Sequence, residues 1–141
     1  MPLWNIHHTP GVFTADEKQR LAAAITDQYA LLGLPRFYVV TLFHEVEPGD
    51  FFIGGTQAPV AVRISIDHIA RHSPTAEGRR QIAIWVRAMV TPFLDRHPEL
   101  QWEFHVDETS EEMWMINGLV PPPAASDTEK AWAAANHSSA Y

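Results

Sequence analysis

The chain has 141 residues, of which 46% are hydrophobic and 19% charged, and it contains no cysteine. This length suits one domain with a hydrophobic core, and the lack of cysteine excludes disulfides, thiolate catalysis and cysteine zinc sites. The formal net charge of −7 argues against a nucleic-acid partner, but it permits a small anionic substrate held by one or two arginines. No apolar run is long enough to span a membrane and no secretory signal is visible, so we expect a cytoplasmic protein with no membrane partner.

The first part of the chain has the pattern of a strand, a helix and a second strand. Residues 3–8 are mostly apolar and β-prone, which predicts a short strand. Thr14 and Glu17 have the spacing of a capping box, which predicts a helix that runs to about Leu32. Residues 37–45 are rich in aromatic and β-branched side chains and predict the second strand.

The same order of elements follows a turn marked by two adjacent glycines. Residues 59–67 alternate between apolar and polar side chains, which predicts a strand. Ser73 is predicted to cap a second helix, with Pro74 at its first position and its end near Arg96. Residues 100–106 then predict another strand.

The two halves, at about residues 2–45 and 59–106, therefore form a duplicated β-α-β pattern. It predicts an α/β (α+β) fold: a four-stranded sheet with two helices on one face, in a single domain over residues 1–122. Residues 123–141 form a tail with a last helix capped by Ser126. Composition leaves two interpretations of this tail open, an arm that contacts a neighbouring subunit and a loosely ordered terminus.

The most informative feature for function is the proline in second position. A small second residue normally permits removal of Met1, which would leave Pro2 with a free secondary amine at the start of a strand. A free α-amine has a pKa of about 8, and burial or a nearby cation lowers that pKa. A neutral amine can then act as a general base or a nucleophile. If Met1 stays attached, the Pro2 nitrogen is an amide and cannot do this chemistry.

Positive charge is scarce, so individual arginines are candidate ligands for a substrate. Arg71 follows the predicted strand of the second unit, and a guanidinium can hold a carboxylate through two hydrogen bonds. Arg63 lies within that strand, and the sequence leaves open whether it faces a pocket or forms a surface or interface ion pair. His68 and His72 are four residues apart, but no third ligand is near in sequence, so we predict no metal site. We expect His68 to form hydrogen bonds near the strand end.

The Met1-Pro2 start and the doubled β-α-β pattern resemble the tautomerase superfamily. The resemblance covers about residues 2–122 and is closest to the long, fused members that include cis-3-chloroacrylic acid dehalogenase. It implies the family's fold, its homotrimeric assembly and its catalytic amino-terminal proline. The segments that carry it besides the start are Ala24-Ile25-Thr26-Asp27, Phe52-Ile53-Gly54-Gly55 with Gln57, Trp102, and Met113 to Pro122.

Only some of the dehalogenase's functional residues have the same residue type at the matching position of this sequence. Pro2 matches the catalytic proline, and Tyr29 stands where that family has a histidine on the first helix. The pair of substrate-binding arginines falls on His68-Ile69-Ala70-Arg71, where only Arg71 is an arginine. Phe104 replaces a tyrosine, and Met115 replaces the glutamate that activates water. Dehalogenation or hydration by that mechanism is therefore doubtful, whereas proton transfer by the proline needs fewer groups.

We accordingly predict a tautomerase-like enzyme that transfers a proton on a small carbonyl carboxylic acid and needs no cofactor. One alternative is a dehalogenase or hydratase in which Glu111 or Glu112 activates water. Another is a non-catalytic trimer that has kept only the fold. The predicted roles are Pro2 as the catalytic amine, Arg71, His68 and Tyr29 as substrate ligands, and Phe104, Trp114 and Met115 as an apolar pocket wall.

Overall fold

A computed structural model describes residues 1–69 and 71–141, so Ala70 of the predicted substrate-binding segment lies outside the described residues. No helix of the described part is long and apolar enough to cross a membrane. The strands are β1 (Pro2–His8), β2 (Val40–Glu45), β3 (Phe52–Ile53), β4 (Thr56–Gln57), β5 (Ala61–Ile69) and β6 (Gln101–Thr109), and the helices are α1 (Ala15–Leu31), α2 (Ala76–Leu94) and α3 (Asp127–Ala135).

The four long strands form one sheet in the order β2-β1-β5-β6. β1 runs parallel to β2, β5 runs parallel to β6, and the two central strands are antiparallel to each other. Pro2 pairs with His68 at one end of the central pair, and His8 pairs with Val62 at the other. This reciprocal register relates the two β-α-β units by an approximate two-fold axis, and it confirms the predicted four-stranded, duplicated architecture.

The core lies between this sheet and the two long helices. Alternate residues of the central strands, such as Trp4 in β1 and Ile66 in β5, are fully buried and belong to the same cluster as Ile25 of α1 and Val90 of α2. Full burial of each large aliphatic side chain stabilises the fold by about 1.5–3 kcal/mol. The intervening residues of β1 and β5 are half-buried, which indicates that no helix of the described part of the chain covers the opposite face of the sheet.

Capping residues set the starts of both long helices. The Thr14 amide donates to Glu17 Oε2 at 2.7 Å and the Glu17 amide donates to Thr14 Oγ1 at 3.2 Å, so the predicted capping box is confirmed. The prediction that Ser73 caps α2 is wrong, because the extended residue Thr75 accepts from the Gly78 amide at 3.0 Å instead. This cap places Pro74 before the helix rather than at its first position.

Two further segments differ from the sequence prediction. Residues 36–38 form a 3₁₀ turn after Pro35, so β2 begins at Val40 rather than at residue 37. Tyr38 is buried by its aromatic neighbours, which outweighs the local β-propensity of the segment. The glycine turn after β2 joins β3 to β4, a short hairpin whose two central residues, Gly54 and Gly55, have φ angles of 60° and 84°. Such left-handed angles favour glycine.

The carboxy-terminal tail is helical and packs on its own chain. Ser126 caps α3 by accepting from the Glu129 amide at 3.1 Å. Trp132 is only 1% exposed, and its ring lies 6.1 Å from that of Phe37 and 6.4 Å from that of Tyr38, between ring centroids. The tail therefore completes the core of the chain to which it belongs. That it also contacts a neighbouring subunit stays a prediction.

Candidate functional site

A cavity of about 380 Å³ opens where β1 begins and β5 ends. The antiparallel register brings Pro2 opposite His68 at this end of the sheet, and Arg71 follows the end of β5. Tyr29, in the last turn of α1, reaches the same space from the helix layer. The four residues predicted to bind or transform the substrate, far apart in sequence, thus line one cavity: Pro2, Tyr29, His68 and Arg71.

The amino terminus lies inside this cavity. With Met1 attached the Pro2 nitrogen is an amide, and the free amine is that of Met1, which donates to the Ile69 carbonyl oxygen at 2.6 Å. The pKa of this amine is lowered from 8.0 to about 5, mainly by burial and next by the charge of Arg71, while Glu129 opposes the shift. The cavity therefore favours a neutral amine at the start of the chain, which is the state that a general base requires.

Arg71 is held by a residue that the sequence analysis missed. Its Nη2 donates to Glu129 Oε1 at 2.7 Å, and Glu129 is only 3% exposed. The other carboxylate oxygen of Glu129 accepts from the Ala125 amide at 2.6 Å. The tail helix thus supplies the counter-charge of the predicted substrate ligand. The available signal was an acidic residue three positions after the Ser126 cap, next to an apolar stripe.

Tyr29 and His68 form a buried hydrogen-bonded pair. The Tyr29 hydroxyl lies 2.6 Å from His68 Nε2, and it also accepts from Trp4 Nε1 at 3.2 Å. The pKa of His68 is lowered to about 4, mainly by burial and next by the charge of the nearby terminal amine, while Glu108 opposes the shift. Burial raises the pKa of Tyr29 well above its usual range. Both side chains are therefore neutral at pH 7.

The three residues predicted as a pocket wall lie away from the cavity within the single chain. Phe104 stacks on Trp102 with ring centroids 6.4 Å apart, and Trp114 is buried edge-on against Tyr38. Met115 is 67% exposed. A wall made by these side chains would require a neighbouring chain, and it stays a prediction. The apolar side chains that line the cavity in this chain, none of them predicted to do so, include Leu32, Leu34, Ile69, Ile82 and Trp85.

Arg63, the other candidate arginine, contacts side chains of the neighbouring strand β6. Arg63 lies on the helix-free face of the sheet, where its Nε is 3.1 Å from Glu103 Oε1 and its Nη2 donates to His105 Nδ1 at 2.6 Å. This arrangement matches the ion-pair interpretation of Arg63. Within residues 1–69 and 71–141, no group of three or more His, Cys, Asp or Glu side chains is arranged to hold a metal ion.

Comparison with known proteins relates the whole chain to one family and one fold. A family model described as a putative oxalocrotonate tautomerase enzyme matches residues 1–137. Native RhCC from Rhodococcus jostii RHA1 is 41% identical, with a TM-score of 0.92 and coverage of 99% of both chains. No curated protein matches the chain.

Two more distant solved structures share the fold. One is N1, a member of the cis-3-chloroacrylic acid dehalogenase family, which is 22% identical with a TM-score of 0.73 over 92% of this chain and 89% of that one. The other is a fused 4-OT in a symmetric trimer, 21% identical with a TM-score of 0.63 over 84% of this chain and 94% of that one. At these identities the likeness concerns the fold alone.

Proposed function

Because the chain belongs to the family of putative oxalocrotonate tautomerases, we propose that it is a tautomerase-type enzyme in which the Pro2 amine, exposed by removal of Met1, transfers a proton on a small carbonyl carboxylic acid. One observation carries the proposal: the chain begins inside a cavity that lowers the pKa of the Met1 amine to about 5 and that Arg71 also lines. Removal of Met1 moves the amine by one residue, to the buried Pro2 at the start of β1.

The proposed reaction uses the neutral amine as a base. The Pro2 nitrogen takes a proton from the carbon next to the substrate carbonyl, and the electron pair of that C–H bond moves into an enolate. The protonated amine then returns the proton to the enolate at its oxygen or at another carbon, so no atoms are gained or lost. Arg71 binds the substrate carboxylate and stabilises the developing negative charge.

The lining of the cavity supports proton transfer more than hydration. Leu34, Ile82 and Trp85 keep the base desolvated, and a volume of about 380 Å³ is within the range of small-molecule sites. None of the described lining residues is a carboxylate, so none of them activates water in the manner that dehalogenation requires. Glu111 and Glu112, considered as replacements, lie on an exposed turn that does not line the cavity.

Intact mass and a proline variant test the proposal together. We expect the purified protein to lack Met1 and to interconvert the keto and enol forms of an aryl pyruvate. Pro2→Ala should lower kcat/KM by about 100-fold or more, because general-base catalysis contributes about 10²–10⁴-fold. Pro10→Ala, at an exposed position, is the matched control and should retain activity. An active protein that keeps Met1, or full activity in Pro2→Ala, would remove Pro2 from the mechanism.

A reactive keto acid gives a second test that does not depend on turnover. The free amine should add to the triple bond of a 2-oxo-3-alkynoate, forming an N–C bond while its proton moves to the neighbouring carbon. The protein mass then rises by the mass of the reagent, and peptide mapping places the label on Pro2. A non-catalytic homologue that keeps Met1 predicts no label on Pro2.

We also propose a cytoplasmic homotrimer. The half-exposed, helix-free face of β1 and β5 offers a surface for contact between chains, and a fused 4-OT that shares the fold is a symmetric trimer. Light scattering coupled to size-exclusion chromatography tests the assembly, and a mass of one chain under assay conditions would contradict it. The absence of cysteine is the feature that supports the cytoplasm.

A further inference from the structure

We propose that Tyr29 is a positioning residue whose hydroxyl fixes His68 in the Nδ1–H tautomer, so that His68 presents a hydrogen-bond donor to the substrate oxygen. From the sequence, Tyr29 and His68 were both expected to contact the substrate directly. The inference deepens the proposed function and rests on it for the identity of the ligand, but the tautomer itself follows from hydrogen bonds within the protein.

Trp4 donates a hydrogen bond to the Tyr29 hydroxyl. An indole Nε1–H is a donor only, so the Tyr29 hydroxyl must accept at the 3.2 Å contact with Trp4. That acceptance uses one lone pair of the hydroxyl and leaves its single proton for another partner. The remaining contact is His68 Nε2 at 2.6 Å. The Tyr29 proton is therefore directed at His68 Nε2, which must be the unprotonated ring nitrogen.

The Nε2–H tautomer of His68 would leave the buried hydroxyl proton of Tyr29 without an acceptor. If His68 Nε2 carried the proton, the Tyr29 hydroxyl would accept two hydrogen bonds and its own proton would need a third partner. Within residues 1–69 and 71–141, Trp4 and His68 are the side chains that hydrogen-bond to this hydroxyl. Tyr29 is only 4% exposed, so a proton without an acceptor there is unfavourable. The low pKa of His68 also excludes a doubly protonated ring at neutral pH.

With Nε2 unprotonated, the other ring nitrogen of His68, Nδ1, becomes the hydrogen-bond donor. His68 lines the cavity and pairs with Pro2 across the strands, and the charge of the terminal amine lowers its pKa. In a neutral imidazole one nitrogen donates when the other accepts, so Nδ1 carries the proton. The site thus combines a base at the chain start, a cation at Arg71 and a neutral donor at His68. This set suits a 2-oxo acid, whose carboxylate and carbonyl oxygens both accept hydrogen bonds.

Nitrogen NMR of the intact protein tests the tautomer directly. In protein labelled with ¹⁵N-histidine, two-bond correlations distinguish a protonated ring nitrogen from an unprotonated one. His68→Gln assigns the His68 signals among the eight histidines. We expect His68 to have a protonated Nδ1 and an unprotonated Nε2. An Nε2–H signal for His68 in the unmodified sequence would overturn the inference.

Removal of the Tyr29 hydroxyl tests its positioning role. Tyr29→Phe keeps the ring and should shift His68 toward the Nε2–H tautomer, which imidazole favours in water. Tyr38→Phe is the matched control, because Tyr38 is also buried but its hydroxyl has no hydrogen-bond partner among the described residues. The control should leave the His68 tautomer unchanged. An unchanged tautomer in Tyr29→Phe would also overturn the inference.

Kinetics separate this inference from the proposed function. Tyr29→Phe should lower kcat/KM for an aryl pyruvate by about tenfold, the value of one hydrogen bond, whereas Tyr38→Phe should not. A protein with the expected tautomer but no tautomerase activity would disprove the proposed function and leave the tautomer assignment in place. An active protein with His68 in the Nε2–H form would disprove the positioning role and leave the function in place.

Discussion

In the chain that keeps Met1, replacement of Arg71 by glutamine should raise the pKa of the Met1 amine only part of the way to its ordinary value. The pKa falls from 8.0 to about 5, a difference of three units, and one unit corresponds to 1.36 kcal/mol, so protonation in the cavity costs about 4 kcal/mol. Burial is the largest cause and Arg71 the second. Arg71→Gln removes the second cause and leaves Glu129, which raises the pKa, so the value should lie between about 5 and 8.

The lowered pKa of the amine makes the free energy of unfolding depend on pH between about 5 and 8. Between pH 5 and 8 the unfolded chain binds a proton at its amine and the folded chain does not. The free energy of unfolding therefore rises with pH through this window. The contribution of the amine, about 4 kcal/mol, is complete above pH 8 and is lost as the pH falls toward 5. In Arg71→Gln the rise should be smaller and should begin at a higher pH.

In protein prepared with Met1 retained, an NMR titration of the ¹⁵N-labelled Met1 amine measures this pKa, and urea unfolding at several pH values measures the linked stability. Arg87→Gln removes the same charge from an exposed position of α2 and should leave the pKa unchanged. The double variant of Arg71→Gln with Glu129→Gln removes both charges and isolates burial, so its pKa should remain low. If the double variant titrates near 8, burial is not the main cause and the reasoning fails.

Three substitutions test the packing around the site by urea unfolding at pH 8. Trp132→Ala should lower the free energy of unfolding by about 3–5 kcal/mol, because it empties a core position supplied by the tail; a loss below 1 kcal/mol would mean that the tail is peripheral. Thr14→Ala should cost about 0.5–2 kcal/mol through loss of the capping box, and no cost would contradict that role. Glu129→Ala should cost about 1–3 kcal/mol, because Arg71 loses this buried carboxylate; the cost stays moderate since the Arg71 side chain is 33% exposed and regains some hydration. Glu77→Ala, which breaks an exposed ion pair, is its control and should cost under about 1 kcal/mol; equal losses in both would refute a structural role for the buried pair.

The fold was predictable because its signals are local. The alternation of residues in the central strands and the spacing of Thr14 and Glu17 each depend on a few neighbouring positions. The start of β2 was not predictable in this way, since Tyr38 leaves the strand to be buried by Trp114 and Trp132, both distant in sequence. Tertiary burial outweighed the β-propensity of the segment.

The site was predictable only in part, for a related reason. The chemistry of Pro2 and Arg71 and the position of His68 indicated these three residues, and the resemblance to a known family added Tyr29; all four line one cavity. The contact between Arg71 and Glu129 joins residues 58 positions apart, and no periodic pattern signals such a pair. The direction of the Tyr29 hydrogen bond needed the position of Trp4, which the sequence identified only as a member of the first strand.

The reciprocal pairing of β1 and β5 has a consequence for stoichiometry. The two-fold relation that exchanges the units places Val62 where Pro2 stands and His8 where His68 stands. Val62 lies in mid-chain, so its nitrogen is a peptide amide and cannot supply a terminal amine at the far end of the sheet. His8 there is fully buried, and its Nε2 has no partner among the described residues. The two units share an architecture, but only the first can carry a terminal amine, so an oligomer contains at most one such terminal amine for every chain.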